Sequence, residues 1–112
     1  MTTPHFPLCH HVLFWLKDPA DTPNFLRALQ ALAAIPSIRG MQLGVPAATA
    51  PDAVIDATYS VSLLLFFEDL AGEAAYQAHP THQAFIENHA HWWAKVVVYD
   101  TMVASLHAEP SC

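Results

Sequence analysis

Histidine is the side chain whose unperturbed proton moves between pH 5 and 8, and this chain carries eight of them against only four Lys plus Arg. Two stand together as His10-His11, and His79, His82, His89 and His91 crowd a short stretch near the other end. On a helix running from 82 to 94, at about 100° per residue, His82, Ile86, His89 and Trp93 share one stripe with Phe85 and Trp92 on its flank. His91 falls on the opposite, solvated side. Tyr76 precedes His79 by three residues and His82 by six, so a helix, a proline turn and a second helix bring a phenol and an imidazole to one apolar wall. A neutral imidazole in such a place takes a proton from a carbon acid or a hydroxyl while the phenol steadies the developing negative charge. The competing reading makes His82 and His89 core histidines, hydrogen-bonded to backbone or water.

Other chemistries find less support. His79 and His82 have H-x-x-H spacing, but His10 and His11 are adjacent on a strand and point to opposite faces, and no HExxH or ExxH motif is present. No metal is therefore expected. The glycines Gly40, Gly44 and Gly72 form no phosphate loop, there is no G-x-S-x-G elbow, and Cys9 has no nucleophile's context. Nucleotide cofactors and acyl-serine chemistry are disfavoured, and no cofactor is expected. A net charge of −6 removes the attraction that nucleic acid or an anionic membrane surface requires. The longest apolar runs, Leu63 to Phe67 and Val96 to Tyr99, fall far short of the roughly 20 residues of a membrane helix. Cys9 and Cys112 resemble neither a disulfide framework nor a zinc pair, and the start shows no targeting signal. A reducing, cytoplasmic compartment is the expectation.

These residues must be positioned by a single domain, since 112 residues suffice for one core and not two. Residues 8–17, LCHHVLFWLK, read as a strand ended by Asp18-Pro19. Thr22-Pro23 reads as a helix start, with Phe25, Leu26, Leu29, Leu32 and Ala33 at helical spacing until Ile35-Pro36. Residues 38–45 suit a bulged or edge strand, and the stretch from Pro46 to Thr58 is a long connection, a candidate lid. Residues 59–67 read as a strand buried on both faces. Asp69 caps a helix from Leu70 to Ala78, His79-Pro80 breaks it, and Thr81 caps a second one over 82–94. Residues 95–103 form the last strand and 104–112 a frayed tail.

The order βαββαβ, with a broken second helix, defines an α+β, ferredoxin-like protomer. Its helices cover one face of a four-stranded sheet whose strands are apolar on both, so the open face is expected to meet a second copy, sheet to sheet. Alternation groups His11, Leu13, Trp15 and Lys17 on one face of the first strand and His10, Val12, Phe14 and Leu16 on the other, without saying which meets the helices. Between helices and sheet we expect a cavity lined by Leu63, Leu65, Tyr76, His82, Phe85, Ile86, His89 and Trp93, to which the resemblance described below adds the His10, Val12 and Phe14 face of the first strand. It suits a flat ring or a short acyl chain better than a charged metabolite.

The segments HHVLFWLK at 10–17, IPSIRGMQLGVPA at 35–47, and YQAHPTHQAF through WWAKVVVYD over 76–100 resemble the stress-responsive dimeric α/β-barrel family, known as Dabb. The resemblance spans residues 8–103 and implies a ferredoxin-like protomer that pairs into a homodimeric α/β barrel. The family includes plant stress proteins, bacterial proteins without assigned activity, and olivetolic acid cyclase-like polyketide cyclases. In the cyclising branch a Tyr and a His form the catalytic pair, and these match Tyr76 and His82, while His10 matches a histidine that reaches the same pocket. The resemblance thus implies a cofactor-free aldol-type cyclase or lyase acting on a small apolar or aromatic molecule. The alternative is a non-enzymatic stress-response dimer that works through stability or partner binding. Tandem His10-His11, Trp15 where lysine is common, and His89 depart from the family pattern.

Overall fold

Alternation along the first strand sets the frame. In the computed structural model, which describes residues 7–104, β1 (Leu8–Leu16) buries every second side chain and leaves the others half-buried. α1 (Thr22–Leu29) follows and tightens into a 3-10 turn over Gln30–Ala34. Then come β2 (Gly40–Gly44), β3 (Val61–Phe67), α2 (Leu70–Ala78), α3 (Pro80–His89), a short 3-10 turn over Ala90–Trp92, and β4 (Trp93–Met102). The sheet is antiparallel throughout in the order β2-β3-β1-β4, which is the ferredoxin-like α+β arrangement. The expected frayed tail lies almost wholly outside the described residues, as does Cys112; Cys9 is a free thiol.

Register decides the faces that period left open. His10 pairs with Leu65 on β3 and with Asp100 on β4, and Val12 with Leu63 and Val98, so these residues share the helix side of the sheet. Cys9, His11, Leu13 and Trp15 share the other side with Ser62, Leu64, Phe66, Val97 and Tyr99. Among the described residues no helix covers that second side, which is why its residues remain half-buried or exposed in the single chain. The expectation of a strand buried on both faces is thus met on one face only: Val61, Leu63, Leu65 and Phe67 are buried, whereas Ser62, Leu64 and Phe66 are half-buried.

The core is an aromatic cluster between sheet and helices. Phe25 is fully buried and meets Phe14 at 4.9 Å, Phe85 at 5.8 Å, and Trp92 and Trp93 each at 6.1 Å between ring centroids. Leu29 and Leu32 of the first helical segment and Ile35, the extended residue that ends it, complete it. Edge-to-face and tilted contacts of this kind add to what apolar burial alone contributes.

Three local expectations need correction. Thr22 is the first helical residue rather than the cap; its hydroxyl donates to the Pro19 carbonyl at 2.7 Å. Thr81 is likewise inside α3, whose cap is His79: its Nδ1 accepts from the Thr81 amide at 3.1 Å. α3 ends at His89 instead of 94, and β4 begins at Trp93 instead of 95. The run Trp-Trp-Ala-Lys-Val-Val-Val holds β-favouring residues, and pairing with β1 claims it for the sheet. Asp69 caps α2 as expected, accepting from the Gly72 amide at 2.8 Å.

Candidate functional site

Between the helix layer and the sheet lies a cavity of about 200 Å³, lined by His10, Val12 and Phe14 of β1, Leu63 of β3, Tyr76 and Gln77 of α2, His82, Phe85 and Ile86 of α3, and Trp93, Val96 and Val98 of β4, with Leu32 at one side. Val96 and Val98 are exposed, so the mouth lies along β4. None of the chain's four cationic side chains lines it.

Its polar groups gather around Tyr76. The phenol ring, 2 % exposed, packs 4.5 Å from the His82 ring and 5.6 Å from the His10 ring, with Phe67 at 5.4 Å behind it. The Pro80 turn makes this possible by ending α2 two residues after Tyr76 and starting α3 two residues before His82. Burial, with the Glu73 charge adding to it, raises the Tyr76 pKa far above the ordinary phenol value, so the group stays a proton donor at neutral pH. Among the described residues its hydroxyl has no hydrogen-bond partner. Nor is it a sealed orphan: among the described residues Ser37 Oγ is the only buried side-chain polar atom left unpaired, so the phenol oxygen, in a residue that lines the cavity, keeps some exposed surface.

Each imidazole is oriented by one nitrogen. His82 Nδ1 lies 3.2 Å from the Gln77 carbonyl. A carbonyl can only accept, so the proton sits on Nδ1 and Nε2 keeps the lone pair of the neutral ring. Burial lowers the His82 pKa, and proximity to His10 adds to this, against opposing contributions from the Gln77 bond and Glu73. The ring is thus held neutral and basic at Nε2 near pH 7. His10, 4 % exposed, places Nδ1 at 2.6 Å from the Asp100 carboxylate, which is itself half exposed. The carboxylate accepts there, again leaving Nε2 as the second ring nitrogen.

The structure gathers His10, Val12, Phe14, Leu63, Tyr76, His82, Phe85, Ile86 and Trp93 at one cavity, and leaves out two residues expected there. Leu65 is sealed in the core with no exposed surface. His89 bends away: its Nδ1 donates to the Phe85 carbonyl at 3.0 Å, and its ring stacks on Phe85 at 4.7 Å. There it borders a separate shallow groove with Ala28, Ala31, Thr81, Ala84 and Asn88. The helical wheel fails at His89 because α3 ends on that residue and its ring folds back onto the last turn.

Trp93 reaches the cavity by another route than the wheel supposed. The β1–β4 register shifts between Trp15 and Leu16, so Trp15 pairs with Lys95 while Leu16 pairs with Trp93. This irregularity turns Trp93 to the helix side, 5.1 Å from Phe14 and stacked with Phe85 at 6.3 Å. Asp100, Gln77, Leu32, Val96 and Val98 were not found by sequence reasoning. Asp100 closes the apolar run of the last strand, but only strand register places it opposite His10.

The 46–58 connection supplies no residue to the cavity lining. It is tied instead to the open side of the sheet, where Trp15 Nε1 donates to Thr58 Oγ1 at 2.8 Å. The lid expectation fails for the chain's own cavity, because the anchor lies on the opposite face of β1. Among the described residues no three His, Cys, Asp or Glu side chains form a metal-holding group, and no helix is long and apolar enough to cross a membrane.

A ferredoxin-like sheet with a histidine- and tyrosine-lined cavity between it and its helices defines an α+β domain of ferredoxin-like topology. The chain belongs to the stress responsive A/B barrel domain (Dabb) family, whose model matches residues 8–103. Among solved structures it is similar to a dimeric ferredoxin-like protein of unknown function from Thermobifida fusca, with 25 % identity over 92 % of this chain and 99 % of that one and a TM-score of 0.71. It is also similar to a dimeric protein of unknown function with a ferredoxin-like fold from Bacteroides fragilis, with 26 % identity over 85 % and 94 % of the two chains and a TM-score of 0.64. The hydroxynitrile lyase of Passiflora edulis shares the fold at 15 % identity, covering 94 % and 100 % of the chains with a TM-score of 0.72. No curated protein sequence matches this chain.

Proposed function

We propose that the protein binds a compact, uncharged apolar or aromatic molecule in this cavity and moves a proton on it, as a cofactor-free lyase or aldol-type cyclase. The carrying observation is the packing of Tyr76 against His82 at 4.5 Å, with His82 Nδ1 committed to the Gln77 carbonyl. His82 Nε2 then draws a proton from an activated carbon or hydroxyl. Tyr76 donates a hydrogen bond to the carbonyl oxygen on which negative charge develops. His10, steadied by Asp100, also packs against the phenol, 5.6 Å between ring centroids.

Size and charge set the substrate class. A cavity of about 200 Å³ is smaller than the roughly 300–1,000 Å³ of sites for drug-sized ligands, which favours one ring or a short chain. With no cationic side chain in the lining, a phosphate or carboxylate would find no ion pair. The same reading includes a homodimer formed through the open sheet face, as the apolar residues there and the dimeric Thermobifida and Bacteroides proteins support.

The experiment is solvent-deuterium exchange at the acidic carbon of small uncharged β-keto compounds and aryl ketones, followed by proton NMR. Wild type should bind members of the panel and speed their exchange. His82→Gln should retain binding and lose the acceleration. Equal exchange in both would overturn the catalytic reading, and absence of binding in wild type would return the protein to a dimer that acts through stability or partner binding.

A further inference from the structure

The segment between β2 and β3 is long for a connection within a small domain. Every residue from 47 to 58 is exposed, including Val54 at 89 % and Ile55 at 45 %, with Val45 at 53 % at its base. Its composition is not that of a flexible linker. The stretch PAATAPDAVIDAT contains no glycine, lysine, arginine or glutamate, and two prolines stiffen it.

Local bonds also give it a shape. Asp52 accepts from the Val54 amide at 3.1 Å, and its carbonyl accepts from the Ile55 amide at 3.0 Å, forming a turn that presents both apolar side chains. At the root, Trp15 Nε1 donates to Thr58 Oγ1, which donates to Asp56 Oδ1 at 2.5 Å; Lys95 Nζ lies 4.5 Å over the Trp15 ring. Trp15 and Lys95 are a cross-strand pair on the open side of the sheet. The root is therefore built on the surface left without helices.

We propose that residues 45–58 are an arm that clasps a second copy of this chain, with Val54 and Ile55 inserted against the partner. The inference rests on the homodimer of the preceding section and adds the element that holds it. A stiff, apolar-tipped segment attached to an open apolar sheet face is continuous with the surface a second copy covers, and two-fold symmetry makes the clasp reciprocal. Burying both side chains in each of two arms strengthens the dimer without touching the cavity.

Sedimentation velocity over a dilution series tests this on the full chain. Val54→Asp/Ile55→Asp should raise the dimer dissociation constant by at least about tenfold, with circular dichroism unchanged because neither side chain belongs to the core. A second variant, Val54→Ala/Ile55→Ala, guards against a general effect of added charge and should weaken the dimer in the same direction. Mixed labelled and unlabelled dimers should show intermolecular NOEs from the Val54 and Ile55 methyl groups. Dissociation constants equal to wild type, or methyl groups without intermolecular NOEs in a dimeric sample, would overturn the arm and leave the dimer standing. A wild type that is itself monomeric at micromolar concentration would overturn the dimer, and the arm with it.

Discussion

His10 and Asp100 face each other across the β1–β4 pair, with His10 Nδ1 2.6 Å from the carboxylate, although the two residues are 90 positions apart in the chain. A buried imidazole is thereby held by a carboxylate that water still reaches. Such an arrangement orients the ring by fixing one of its two nitrogens. The His10 ring lies 5.6 Å from the Tyr76 ring and the His82 ring 4.5 Å from it, so two oriented imidazoles border one phenol.

Asp100→Asn should release the His10 ring. Because the carboxylate is half exposed, the stability lost should be small, about 1 kcal/mol in urea unfolding. The sharper readout is nitrogen NMR of the imidazole, in which the Nδ1–H form of His10 should give way to a tautomeric mixture. An unchanged His10 spectrum would contradict the dyad.

The lowered pKa of His82 fixes the sign of a pH effect. Its neutral form is favoured in the folded chain, so the unfolded chain binds the extra proton first as pH falls. The His82 contribution to stability is therefore fully present above the unfolded histidine value of about 6.5 and is lost as pH falls through the lower folded value. His82→Gln should flatten the stability profile in this window, as thermal melts at stepped pH would show. The acidic limb of any proton-transfer rate should likewise lie below about 6.5.

Tyr76→Phe removes a hydroxyl that has no partner among the described residues while keeping a ring that packs on Phe67 and both histidines. Melting temperature should change little. Ligand affinity or exchange rate in the panel should fall about tenfold, the worth of one hydrogen bond to a developing charge. A large loss of stability with unchanged chemistry would assign Tyr76 to packing alone.

Phe25→Ala empties the centre of the aromatic cluster, where Phe14, Phe85, Trp92 and Trp93 converge. The cost should be about 3–5 kcal/mol in denaturant unfolding. A value under about 1 kcal/mol would mean that the cluster collapses to fill the space.

Leu64 sits mid-strand on the open side of β3, opposite His11. Leu64→Asp should convert the proposed dimer to monomer in sedimentation runs while leaving the cavity intact, since Leu64 lies on the other face of the sheet from it. Unaltered dimerisation would remove the open face as the interface.

Where the sequence misled, the cause was extrapolating a local period past the point where tertiary pairing took over. The wheel through His82 and Ile86 holds for one turn of α3. It fails at His89, whose ring folds onto Phe85, and it reaches Trp93 only by coincidence, since an irregular β1–β4 register turns that residue inward. The long 46–58 connection was legible as a connection, but nothing in its residues said that Trp15 would anchor it to the side away from the cavity.

Composition and punctuation alone determined the βαββαβ order, the Asp69 cap, the break at Pro80 and the proximity of Tyr76 to His82, because each depends on residues a few positions apart. The face of β1 that carries His10, its union with Asp100, the exclusion of His89 and the choice of cavity wall were decided only by tertiary structure. Those features follow from strand register, and register is fixed by contacts between segments as far apart as the two ends of the chain.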